Sequence, residues 1–145
     1  MKSLWINSEA ESFSGSDLDM RVYTSRLLGS NENLVMHGGG NTSVKSKMND
    51  FFGNELEVLL VKGSGWDLKT IEKPGFPALR LAENQHLAEL ETLSDTDMAS
   101  QLRFNMLDKA APAPSVEAIL HAIIPTKFVD HSHACLLYTS PSPRD

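Results

Sequence analysis

The 145-residue chain has a single cysteine, Cys135, no cluster of Lys and Arg, and no apolar run near the ~20 residues that span a bilayer. One thiol cannot close an internal disulfide or a CxxC pair. The N-terminal stretch MKSLWINSEAESF has no signal-peptide core, so the expected location is cytoplasmic. Thirteen Lys+Arg against nineteen Asp+Glu leave a net charge of −6, and neither nucleic acid nor a membrane surface is expected as a partner. What is present is ordinary for a soluble globular protein: 41% hydrophobic and 22% charged residues, at a length that suits one domain around one core.

The cysteine opens the segment CLLYTSPSPRD, whose composition changes abruptly from what precedes it. Those residues match, codon for codon, an in-frame translation of a transposase-type sequencing adapter. Residues 1–134 are therefore expected to be the native part, an N-terminal fragment, and 135–145 to be foreign. Removing the segment takes Arg144 and Asp145 together, so the charge stays at −6 and the native part has no cysteine.

Along the chain, Ser16 with Asp19 resembles a capping box, and Met20, Tyr23 and Leu27 recur at helical spacing until Gly29 supplies a stop. LVMHGGGNTSVKS and the apolar ELEVLLVK follow. Residues 42–47 and 56–62 are expected to pair as a hairpin across the loop Met48–Glu55. Residues 72–77 read as a loop. Ser94 with Asp97 caps a helix carrying the stripe Met98, Leu102 and Met106. Ser115 then starts a helix that Pro125 ends, and KFVDHSHA is a final strand. Helices and strands interleave without repeats, so the class is α/β.

Several residues could carry chemistry. In a strand, His131 and His133 project to the same side about 6–7 Å apart along the backbone, a spacing that lets two imidazoles converge on one metal ion. Two neutral imidazoles suit zinc, but zinc takes three or four ligands, and two polar residues on an exposed strand face would look the same. Glu117 and His121 share a helical face. A carboxylate at a helix start could carry a proton, or simply favour the helix dipole, and Ser115 could simply be an N-cap. Gly38-Gly39-Gly40-Asn41 lacks Walker and GxGxxG spacing yet could form an anion nest, as could Lys62-Gly63-Ser64-Gly65 beside its cation. Both turns with Ser115 would provide enough donors for one phosphate, although each alone is more often only a tight turn.

In the order GGGNTSVK, VKGSGWDL, APSVEAILHAIIP, VDHSHA, the chain resembles the class II aldolase/adducin family over nearly all of residues 1–134. It is most similar to the N-terminal aldolase half of bacterial bifunctional rhamnulose-1-phosphate aldolase/short-chain dehydrogenases. The resemblance implies a three-layer α/β/α class II aldolase-like fold with a mixed, largely antiparallel central sheet, here C-terminally truncated. It places substrate phosphate on Gly40, Asn41, Ser64, Gly65 and Ser115. Val116 stands where fuculose-phosphate members carry a further polar residue, so that contact is not carried over. Proton transfer falls on Glu117, and zinc on His131 and His133, with Glu117 as a further candidate ligand and the third histidine downstream of this fragment.

The implied activity is zinc-dependent reversible retro-aldol cleavage of a ketose 1-phosphate, foremost rhamnulose 1-phosphate to dihydroxyacetone phosphate and lactaldehyde. Zinc acts as Lewis acid and Glu117 as proton carrier. The partner is thus a small phosphorylated sugar. The parent is expected to be a homo-oligomer, commonly a four-fold tetramer in the family, fused to a C-terminal NAD-dependent short-chain dehydrogenase domain. A sugar-phosphate epimerase or dehydratase on the same fold is the alternative, and a non-catalytic adducin-like interaction module is another. Retention of Glu117, His131 and His133 together argues against the module. A ligand short, the fragment itself is expected to be inactive.

Overall fold

The computed structural model describes residues 2–133; the segment expected to be foreign, 135–145, lies outside them. Five α-helices, α1 (Asn7–Ser12), α2 (Asp17–Gly29), α3 (Leu81–Leu87), α4 (Asp95–Phe104) and α5 (Ala118–Ile123), and a 3-10 turn at Lys73–Gly75 accompany four strands among the described residues. The strands are β1 (Asn41–Asn49), β2 (Glu55–Val61), β3 (Ala78–Arg80) and β4 (Phe128–His131), in the order β3-β2-β1-β4, and every pairing among them is antiparallel. Helix α2 packs on one face of the sheet, and α3, α4 and α5 on the other. This is the expected three-layer α/β/α architecture.

The run ELEVLLV reads as a near-continuous apolar strand because β2 is buried on both sides. Val58 and Leu60 point into one core with Val22, Val44, Ile71 and Phe76. Leu59 and Val61 point into the other with Leu79, Leu81, Leu102, Ala118 and Ala122. Fully burying each of the larger side chains is worth about 1.5–3 kcal/mol, so the central strand anchors both layers.

Both expected caps form: Ser16 Oγ accepts from the Asp19 amide and Ser94 Oγ from the Asp97 amide, each at 3.1 Å. The hairpin is longer than expected. Met48 and Asn49 belong to β1, and Glu55 to β2, because Asp50 Oδ1 accepts the amides of Phe52 (2.9 Å) and Asn54 (2.8 Å) and confines the turn to residues 50–54. Gly29 is no left-handed stop. It ends α2 in right-handed conformation, and a Cβ there would lie 2.3 Å from the Lys69 amide nitrogen, so the requirement is close approach of a neighbouring loop. Met106 falls outside α4 and bridges Leu79. α1, β3 and α3 carry no signal that sequence reading used: α1 and α3 have no side-chain cap, and β3 is three residues long.

Two corrections bear on the site. α5 begins at Ala118 with Glu117 in the N-cap position, not at Ser115, whose hydroxyl accepts the Glu117 amide at 3.2 Å in a turn ahead of the helix. β4 ends at His131, so His133 lies past the strand. Its partner stops there too: the last pair of the ladder is Asn41↔His131, and Gly40, at φ +76°, turns β1's leading chain away.

Candidate functional site

The ladder between β1 and β4 sorts side chains by period two. Asn41, Ser43 and Lys45 on β1, with Val129 and His131 on β4, share the face toward α5, while Thr42 and Asp130 face α2. Asn41 Nδ2 donates to Glu117 Oε2 at 3.0 Å. His131 Nδ1 lies 3.0 Å from the same oxygen without hydrogen-bonding alignment. One helical turn after Glu117, the buried His121 ring pairs its Nδ1 with Ser43 Oγ at 2.7 Å, while its Nε2 has no hydrogen-bond partner. Lys45 Nζ closes the far end of α5, donating to the carbonyls of His121 (2.9 Å), Ile124 (2.7 Å) and Thr126 (2.7 Å). A cation at a helix C-terminus is electrostatically favoured, and here it fixes the helix that presents Glu117.

Ligand atoms of Glu117, His121 and His131 all lie within 4.8 Å of one another. The His133 ring stands edge-on to that of His131, centroids 4.9 Å apart, so the two imidazoles meet although only one is in a strand. A Cβ on Gly39 would lie 3.4 Å from His133 Nδ1, so the glycine turn leaves room for that ring. This donor set fits a divalent metal. Two imidazole nitrogens, of His121 and His131, are buried without hydrogen bonds beside a carboxylate, and imidazole with carboxylate suits zinc.

The electrostatics favour the same chemistry. Burial pushes the Glu117 carboxyl up, but the Asn41 amide and the His131 and His121 rings outweigh it, and Glu117 ionises below the usual range. Burial pulls His121 down to about 4, against the opposing pull of Glu117 and helped by His131, Lys45 and Arg21. A neutral ring with a lone pair is what ligation requires. His121 joins the cluster although sequence reading placed it only on Glu117's helical face; the i, i+4 spacing was the available signal. Lys62, the cation beside the second turn, is held below its ordinary value by burial, against the opposing pull of Asp67 and Glu117.

The turns expected to hold phosphate also gather here. Gly63 bridges Pro114, the Ser64 amide donates to the Ala113 carbonyl at 2.8 Å, and the Lys62 amide donates to the Thr42 carbonyl at 3.0 Å. The second turn is thereby fixed between the start of β1 and the segment leading to Ser115. Since the Ser64 amide is engaged, its hydroxyl is the group it has to offer. Gly65 sits at φ +84° with nothing within 4 Å of a Cβ, an open position on that turn. Beside the first turn, His37 Nδ1 pairs with Asp67 Oδ2 at 2.6 Å.

No helix among the described residues is long and apolar enough to cross a membrane. Residues 20–139 match the profile of the class II aldolase and adducin N-terminal domain. The chain is 40% identical over 133 residues to a Bacillus subtilis protein named uncharacterized oxidoreductase YuxG, covering 92% of this chain and 19% of that protein. It therefore spans about a fifth of the relative's length. Among solved structures, the N-terminal class II aldolase domain of a conserved Thermoplasma acidophilum protein superposes with a TM-score of 0.88 at 40% identity, over 99% of this chain and 67% of that one.

Proposed function

Because the chain belongs to the class II aldolase and adducin N-terminal domain family, we propose that it forms the catalytic half of a zinc-dependent aldolase cleaving a ketose 1-phosphate, with rhamnulose 1-phosphate as preferred substrate. The family supports aldolase-type lyase function in general. The observation that carries the finer reading is the convergence of Glu117, His121 and His131 beside His133 and both glycine turns.

In this reading His131 and His133 would hold the metal, which would supply Lewis acidity to the oxygen that gains negative charge. Glu117, ionised and held by Asn41, takes the proton from the hydroxyl on the carbon that becomes the aldehyde. The electrons of the breaking bond pass to the ketone-bearing fragment, whose carbon takes a proton back. Gly40, Asn41, Ser64, Gly65 and Ser115 anchor the phosphate, and Lys62 adds a positive charge beside them. Anchoring the phosphate orients the bond to be cleaved. The kinship with a much longer protein named an oxidoreductase supports an N-terminal aldolase unit joined to an oxidoreductase domain, and we take that domain as an NAD-dependent dehydrogenase and the whole as a cytoplasmic homo-oligomer.

The test is a zinc-reconstituted form extended to the end of the domain, assayed with a panel of ketose 1-phosphates for dihydroxyacetone phosphate release. Cleavage, fastest with rhamnulose 1-phosphate, is expected. Epimerised or dehydrated product without cleavage would replace the aldolase with its nearest alternative.

A further inference from the structure

Behind the site, on the α2 face of the sheet, lies an arginine whose hydrogen bonds go to none of the candidate ligands. Arg21 is 1% exposed. Its Nη2 donates to Asp130 Oδ1 at 2.6 Å, its Nη1 to the carbonyls of Ser43 (3.1 Å) and Val129 (3.4 Å), and its Nε to Ser25 Oγ at 3.2 Å. The guanidinium carbon also stands 5.4 Å from the centre of the Phe128 ring. One side chain of α2 thus grips both β1 and β4.

That grip falls where the site needs it. β4 is four residues long, and β1 is its strand partner among the described residues. So short a ladder has few hydrogen bonds with which to hold its place. Phe128 and Asp130 point back to Arg21, while His131, one residue on, points forward into the site. Ser43 is held from both sides: its carbonyl accepts from Arg21, and its hydroxyl meets His121, one helical turn from Glu117. Two residues before it on β1, Asn41 holds Glu117 itself. Arg21 therefore links the strand carrying His131 to the strand that sets α5.

An ion pair with one partner buried, as Arg21 is against a half-exposed Asp130, is a poor source of stability, because well-packed apolar side chains in place of the buried group often serve as well or better. A planar fork with several fixed donors does supply a defined position, which neither an apolar residue nor the single ammonium of lysine can reproduce. Resting on the metal-site reading above, we infer that Arg21 with Asp130 is a positioning pair that sets His131 against Glu117 for metal binding. Neither residue is a ligand.

The test uses the chain as it stands, with Arg21→Lys, Asp130→Asn and a control, Val22→Ala, which opens a cavity in the neighbouring core position of the same helix. Zinc affinity of the folded protein is read by chelator competition, and placement of β4 by amide hydrogen exchange of residues 128–131 relative to those of β2. Asp130→Asn is the milder change, since Asp130 is half exposed and the amide still accepts from Arg21. Arg21→Lys should weaken zinc binding about tenfold, the effect typical of disturbing groups behind a metal ligand. Asp130→Asn should weaken it less, and both should selectively deprotect β4. Val22→Ala should lower the melting temperature with zinc affinity and relative β4 protection unchanged.

Unchanged β4 protection in both site variants would overturn the inference, as would an equal affinity loss in Val22→Ala. If the unmodified chain binds no zinc, the affinities are read in the form extended to the end of the domain; if that form binds none either, the metal reading itself fails, and the exchange of β4 alone then decides whether Arg21 positions that strand.

Discussion

Replacing Gly40 by alanine separates two costs that the first glycine turn combines. Gly38 and Gly40 share a left-handed conformation, φ +74° and +76°, and so should share the roughly 1–2 kcal/mol that such a backbone costs a residue with a Cβ. Their surroundings differ. A Cβ on Gly38 meets nothing within 4 Å, whereas on Gly40 it would lie 2.6 Å from Val35 Cγ1 and 3.1 Å from both the His131 carbonyl and Leu68 Cδ1. Val35 and Leu68 are buried, and the third neighbour is backbone, so the fit cannot be relieved by swinging one loose side chain aside. Overpacking of that kind adds about 1–3 kcal/mol. Gly38→Ala should therefore cost about 1–2 kcal/mol and Gly40→Ala about 2–5, small enough beside the ~5–15 kcal/mol of a typical domain for both to fold. Urea unfolding of the two variants measures the difference. Because the His131 carbonyl is among the atoms that must give way, zinc affinity should fall in Gly40→Ala and hold in Gly38→Ala. Equal destabilisation, or a larger loss for Gly38→Ala, would refute the packing argument.

In the domain-length protein, Glu117→Gln should lower kcat far more than it changes KM, because a proton carrier acts mainly in the transition state; steady-state kinetics with an unchanged kcat would remove Glu117 from the reaction. Lys45→Met should cost about 1.5–3 kcal/mol in urea unfolding, since it keeps the aliphatic stem but leaves three carbonyls at the end of α5 without their charged donor. Asp17 is held below its ordinary 3.8 by the Lys127 hydrogen bond first and then by that of Ser46. The unfolded chain then takes up the proton first, so the contribution of this carboxylate is present above 3.8 and lost as pH falls through the lower folded value. Asp17→Asn should flatten the acid limb of the melting temperature against pH, and an identical limb would mean that the Lys127 and Ser46 contacts are not kept in solution.

The parts of the fold that were legible in the sequence are those with local causes. Ser16 and Ser94 declare their helices because a hydroxyl three residues before an amide suffices to cap. The alternation that turns Val58 and Leu60 one way and Leu59 and Val61 the other needs only the pleat. What escaped was set by tertiary contacts. α3 follows β3 without a cap because Leu81 is drawn into the core with Leu59 and Leu102. Gly29 looks like a helix stop until the loop at Leu68 and Lys69 is seen lying against it. In the site, the pairing of two histidines was legible from period two, yet His133 meets His131 past the end of the strand. The entry of His121 into the cluster depended on Ser43, 78 residues earlier in the chain. Arg21 carried no signal at all, since its partners come from two strands that only the folded sheet brings together.

X-ray absorption at the zinc edge of the zinc-loaded chain tests the central claim, a metal centre built on His131 and His133 beside Glu117. At least two imidazole nitrogens at about 2.0–2.1 Å are expected. The imidazole count should fall by one in His131→Ala and again by one in His133→Ala. An imidazole shell unchanged in both variants would contradict the account and move the metal elsewhere.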